Sequence, residues 1–297
     1  MAPGSGLNSL FNSNGNPARA TGIVYLLISA LCFSFAGVFT KGVAAGSWEV
    51  IFWRAAFGLL FAIALYGMKG KITREVTMKP SGIMISLVAV ISTIAFLSSF
   101  KHTSISNVVM IYASTPMLAG VMGWWLMREK MSFKEFAASM AVLFGVGIVV
   151  YGSLGKIEIF GDALAVLMAI TYALIIVLFR KYPETPSGGV NIFSCLALLP
   201  ICFLFGEPFS TSFHDIMLLA VFAIVFLIAS ISLQEGSKLL SPTLSALLSI
   251  AETPLAPIWA WFFFAEIPVL STLIGGVVIV LAITLATVRY SSASEPA

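Results

Sequence analysis

Ten apolar runs, each close to twenty residues long, leave this chain little choice of fold. They occupy roughly 20–43, 47–68, 81–100, 104–127, 132–153, 160–180, 189–206, 213–235, 242–264 and 268–288. At about 1.5 Å per residue, a helix of about 20 residues crosses the roughly 30 Å hydrocarbon core of a bilayer. Lipid offers no partners to backbone amides and carbonyls, so each run must satisfy its own, as a helix does. Of the 297 residues, 59% are hydrophobic and 10% charged, where soluble domains carry about 25% charged residues. The expectation is an all-α membrane protein with ten transmembrane helices and no water-soluble domain.

The connections are short and marked by breakers or charge, as in GMKGKITREVTMKPSG and YPETPSGG. Lysine and arginine set the orientation, because cytoplasmic loops hold positive charge. With the N-terminus inside, the cytoplasmic loops collect twelve of these cations and the other face three, Lys41, Lys101 and Lys156. An even number of spans then puts both termini in the cytoplasm. Arg54 belongs to neither face. The opening residues, MAPGSGLNSLFNSNGNPARA, have no apolar core of the kind a signal peptide needs, so residues 1–18 are expected as a disordered tail, matched by a short tail at 291–297. Cys32, Cys195 and Cys202 lie in apolar runs without a CxxC or histidine partner, which argues against a disulfide framework or metal site. The net charge of +3 is spread through loops, so no nucleic-acid partner is expected, and no cofactor.

Shifted by 137 to 139 residues, the chain resembles itself. GIVYLLISALCFSFAGVFTK (22–41) lies over GDALAVLMAITYALIIVLFR (161–180), pairing Phe33 with Tyr172 and Lys41 with Arg180. KHTS (101–104) lies over KLLS (238–241), and TPMLAGVMGWWLMRE (115–129) over TPLAPIWAWFFFAE (253–266). Each half, 19–155 and 156–290, holds five spans, and an odd number sends the second copy into the membrane from the opposite face. Inverted repeats of this kind are typical of transporters that alternate access around a midplane site.

Ten spans in two halves, the FWRAAFGLL stretch (52–60), and fourth and ninth spans that each contain proline and run to glutamate resemble the EamA-type drug/metabolite transporter superfamily. The resemblance covers nearly the whole chain after residue 18. Within that group, length and layout are similar to bacterial exporters of aromatic amino acids. It implies a multi-pass protein of the bacterial inner membrane that exports small metabolites, amino acids by the nearest likeness, through alternating access.

A charge inside the hydrocarbon costs about 2.5–3.5 kcal/mol even on the translocon scale, so it marks a candidate site. Arg54 lies six residues past Trp48, roughly 9 Å into its helix. It either faces a cavity, where its planar fork suits a substrate carboxylate, or it snorkels or pairs with an acid. Glu252 shares a helical face with Ser245, Ser249, Ala256 and Trp259. It could bind a substrate ammonium, carry a coupling proton, or satisfy backbone groups freed by nearby prolines. Pro116 and Pro254 occupy matching repeat positions, where they would bend their helices as hinges or simply pack. Tyr112, Trp53, Phe57 and Tyr172 join Phe33 as aromatic candidates for lining a cavity that takes an apolar or aromatic side chain.

An intramembrane protease would need a nucleophile with a base, or paired aspartates, in mid-span. His102, His214, Asp162 and Asp215 all stand at span ends instead, and no phosphate-binding loop is present. A sensor or assembly factor is the remaining rival, and the repeat favours transport over it.

Overall fold

The computed structural model describes residues 17–151, 158–265 and 270–288. Every regular element among them is helical. In chain order these are α1 (Pro17–Ser34), α2 (Ala36–Lys41), α3 (Ser47–Met68), α4 (Ile72–Val76), α5 (Pro80–His102), α6 (Ile105–Tyr112), α7 (Thr115–Met127), α8 (Phe133–Val150), α9 (Ile159–Lys181), α10 (Ser187–Phe205), α11 (Phe213–Leu239), α12 (Pro242–Ser249), α13 (Glu252–Phe264) and α14 (Leu270–Val288). A 3-10 turn at Pro208–Ser210 sits between α10 and α11.

These helices make ten spans long and apolar enough to cross a membrane, as the sequence predicts. Three are built in two pieces: α1 with α2, α6 with α7, and α12 with α13. The first span begins at Pro17, a few residues ahead of the apolar run. Residues 1–16, Lys156, Glu266 and residues 289–297 lie outside the described residues, as do the side chains of Lys41 and Lys101.

The two halves build matching parts. Ser104 caps α6 by accepting from the Asn107 amide, and Ser241 caps α12 by accepting from the Leu244 amide; such caps satisfy donors that a helix leaves orphaned at its start. Both caps open an eight-residue helix, a short break and a thirteen-residue helix. Both long pieces end in a left-handed residue, Arg128 at φ 61° and Ala265 at φ 55°. Packing follows the same rule. Gly22 of α1 lets Leu239 and Leu240 approach so closely that a Cβ would stand 2.9 Å from Leu240 Cγ. Its counterpart Gly161 in α9 does this for His102 and Thr103, where a Cβ would stand 2.2 Å from the His102 carbonyl oxygen. The broad helix pairings are α1 with α11, α5 with α9, α3 with α10 and α8 with α14. In the last, α8 and α14 cross at glycines, with a Cβ on Gly275 reaching within 2.4 Å of the Gly145 carbonyl.

At the end of the bundle that carries most of the cations, polar contacts tie the connections together. Arg180 pairs with Glu129 at 3.3 Å and donates to the Lys238 carbonyl at 3.1 Å. Lys79 pairs with Glu184 at 2.6 Å. The buried Glu75 of α4 accepts from the Gly189 amide in the first turn of α10 at 2.9 Å. Glu135, in a capping box with Ser132, also takes the Ser241 hydroxyl. Trp124 and Trp125 stand exposed near the same end of α7, where interfacial aromatics belong.

Candidate functional site

Two ionisable side chains inside the spans, Arg54 and Glu252, have no ion-pair partner among the described residues. Arg54, on α3, is buried to 6% exposure, and its guanidinium carbon lies 3.9 Å above the ring centre of Phe226 on α11. No hydrogen bond or carboxylate meets it among the described residues. Of the two readings the sequence leaves open, the structural ion pair is therefore absent among these residues. A desolvated cation over an aromatic face gains about 2 kcal/mol, which offsets only part of the expense of holding a bare charge in the hydrocarbon. Cys195 and Cys202 of α10 are its other neighbours, packed as small apolar groups.

Glu252 opens α13 at the break in the ninth span. Its carboxylate lies against the Tyr112 hydroxyl, and Tyr172 is the other titratable group that faces it. The Tyr112 and Tyr172 rings meet edge to face with centres 5.6 Å apart. Ser249 stands beside Tyr172 and donates to the Ser245 carbonyl at 2.9 Å. The fold thus brings together four candidates from three spans: Tyr112, Tyr172, Ser249 and Glu252. Buried hydroxyls normally have partners, yet among the described residues Ser245 Oγ has none, and neither has Ser29 Oγ on α1.

Phe226 links the two charges. It meets Phe33 edge to face at 5.2 Å, and Phe33 packs on the core cluster that includes Tyr112 and Tyr172. The sequence reading did not single out Phe226, because nothing distinguishes one phenylalanine in an apolar run until a second helix supplies its partner.

The remaining candidates have other attachments. Trp53 donates through its indole to the Pro208 carbonyl at 2.8 Å and stacks on Phe57 at 5.8 Å. Trp259 donates to Ser34 Oγ at 2.8 Å and stacks on Phe35 at 4.3 Å, bridging α13 to the break between α1 and α2. Pro116 and Pro254 lie in the first turns of α7 and α13, where a missing N–H deprives the helix of little. The break falls just before each proline, at 113–114 and 250–251, rather than a turn earlier inside a continuous helix.

Two open cavities lie away from this interior. One, of about 570 Å³, is an apolar groove between α6, α8 and α14 lined by Met110, Phe144 and Gly147. The other, of about 700 Å³, opens at the end remote from the Arg180–Glu129 pair and is lined by Glu49, Glu207 and Asp215.

Residues 20–151 match the EamA-like transporter family. An uncharacterized transporter of Bacillus subtilis (strain 168), YxxF, is 23% identical over 162 residues, 52% of this chain and 52% of that protein. The chain thus spans about half the length of the curated relative it matches. A solved crystal structure 17% identical in sequence superposes with a TM-score of 0.82, covering 91% of this chain and 98% of the other, which shows a shared fold.

Proposed function

We propose that the chain, which resembles the EamA-like transporter family over residues 20–151, is a secondary transporter of that superfamily that exports amino acids, neutral and aromatic ones included, across the bacterial inner membrane. The observation that carries this reading is a pair of ionisable side chains inside the spans with no ion-pair partner among the described residues, Arg54 over the Phe226 ring and Glu252 beside Tyr112, connected by the aromatic contacts of Phe226 and Phe33. An amino acid presents the complementary pair. Its carboxylate suits the two-pronged guanidinium of Arg54. Its ammonium, or a coupling proton in its absence, neutralises Glu252. The rings of Phe33, Phe226, Tyr112 and Tyr172 offer an apolar side chain the contact surface that small-molecule sites use.

Alternating access supplies the motion. The matched caps, breaks and left-handed ends of the two halves support an inverted repeat, and exchanging the halves turns the α1–α11 pairing into the α9–α5 pairing. Lysine and arginine in the loops support cytoplasmic termini. The charged contacts around Arg180, Glu129, Lys79 and Glu184 would then close the cytoplasmic end, and the cavity beside Glu49 and Glu207 would face outward.

Purified protein in liposomes loaded with one labelled amino acid tests this. Saturable counterflow is expected for aromatic and neutral amino acids and not for the decarboxylated amines. Arg54→Lys should raise the half-saturating concentration at least about tenfold, since a bidentate site does not accept an ammonium as an equal. Unchanged affinity in that variant would remove the carboxylate role from Arg54.

A further inference from the structure

The cavity at the end remote from the Arg180–Glu129 pair is lined by three carboxylates, Glu49, Glu207 and Asp215, and by no lysine or arginine among the described residues. Glu49 lies in the first turn of α3 and Asp215 in the first turn of α11, where the helix dipole favours the ionised acid. Glu49 accepts from the Glu207 amide at 2.8 Å, and Gly206 leaves it room, since a Cβ there would stand 2.9 Å from Oε1. No ion pair reaches Glu49 or Glu207 among the described residues. Asp215 is the most enclosed of the three. Its side chain is 10% exposed, and the only cationic group near it is the exposed His214 at 3.6 Å, beyond hydrogen-bond reach. On the same wall the Thr211 hydroxyl is buried without a partner. Buried polar groups are normally paired, so an enclosed carboxylate and an enclosed hydroxyl at one cavity both lack what a ligand could bring.

We infer that this cavity is a second binding site, for a protonated primary amine, with the ammonium on the carboxylate of Asp215 and the apolar tail against Phe205. The volume of about 700 Å³ lies inside the roughly 300–1,000 Å³ span of small-molecule sites. Phe205 is held by stacking on Trp48 at 5.4 Å, so it offers an alkyl or aryl tail a fixed face. A metal ion fits less well, because no three acidic, histidine or cysteine side chains among the described residues converge closely enough to hold one. An organic cation needs one close carboxylate. Glu49 and Glu207 act on it as a field, since a cleft lined by one sign of charge concentrates the opposite sign.

The inference rests on the transport reading and deepens it. An amino acid released from Arg54 presents its ammonium to these acids, which repel its carboxylate. A decarboxylated amine carries the group this cavity holds and lacks the one Arg54 holds. It therefore binds here without being carried, and it competes with the amino acid.

The test is thermal unfolding of the purified full chain at neutral pH and fixed ionic strength, titrated with phenethylamine or with the uncharged phenethyl alcohol. A saturable rise in Tm with the amine, absent with the alcohol, is expected, since ligands that bind only the native state stabilise it. Asp215→Asn should raise the amine midpoint at least about tenfold, the worth of one hydrogen bond to a charged group. Glu207→Gln should raise it by roughly two- to fivefold, as an exposed charge contributes less. If Asp215→Asn does not fold, the exposed Glu207 still decides. Equal responses to amine and alcohol, or an unchanged midpoint in Glu207→Gln, each overturns the site. Counterflow of amino acids without an amine-dependent Tm sinks this cavity and spares the transport reading. An amine-dependent Tm that Glu207→Gln weakens, without counterflow of any amino acid, sinks transport and spares the amine site.

Discussion

At the scale of single residues, Phe226 does more for Arg54 than any acid does. Replacing it by leucine removes the ring under the guanidinium while keeping most of the volume. We expect a loss of about 2 kcal/mol, the worth of a desolvated cation–π contact, read as a lower unfolding midpoint, and a partial rescue by added substrate. The glycines give a second residue-level prediction. A methyl at Gly161 would meet the His102 carbonyl at 2.2 Å, and one at Gly189 the Glu75 carbonyl at 2.1 Å. Gly161→Ala and Gly189→Ala should each cost at least about 1–3 kcal/mol, the usual penalty for forcing extra atoms into a packed site; unaltered midpoints would mean the backbones yield. Arg54 and Glu252 were legible in the sequence because charge is rare in lipid, and the rarity itself was the signal. Phe226, Ser245 and Ser29 were harder to read. A phenylalanine in an apolar run, or a serine in a helix, carries no mark until its neighbours on other helices are known.

At the scale of elements, the ten spans followed from run length alone, whereas the breaks at 113–114 and 250–251 did not. Thr-Pro signals a bend but not its register: the fourth span parts where Ser114 and Thr115 donate back to the Ile111 and Tyr112 carbonyls, while Ser104 and Ser241 cap the first piece of each broken span. Loss of either cap, as Ser104→Ala or Ser241→Ala, should destabilise by about 1 kcal/mol. Ser241→Ala should cost more of the two, because it also strips a partner from Glu135. The connector between α3 and α5 offers a pH handle. Lys79 donates to the exposed Glu184 and holds its carboxyl below the ordinary carboxylate range. A carboxylate with a depressed folded-state pKa contributes fully above its unfolded value, about 4.3, and loses that contribution as pH falls through the lower folded value. Because the pair is in water, Lys79→Met should leave unfolding at neutral pH nearly unchanged, with the difference from wild type vanishing in strong acid.

At the scale of the whole molecule, the proposed topology puts both tails on the cytoplasmic side. A reporter fused to either terminus should therefore be active only in the cytoplasm, and activity outside would reverse the orientation drawn from the loops. The match between halves was readable as a weak self-similarity, with Gly22 over Gly161 and Thr-Pro over Thr-Pro. Its packing meaning was not readable, because each glycine touches a segment about 60 to 220 residues away in the chain. One contact of this kind stands apart. Where Gly145 meets Gly275, the backbones of α8 and α14 touch without side chains between them, and helices joined so closely have little room to slide. The consequence is mechanical: in the proposed transport cycle this pair would be the stator against which the other spans turn. A cross-link between α8 and α14 should leave counterflow intact, while one between α1 and α11 should stall it with the substrate caught on one side.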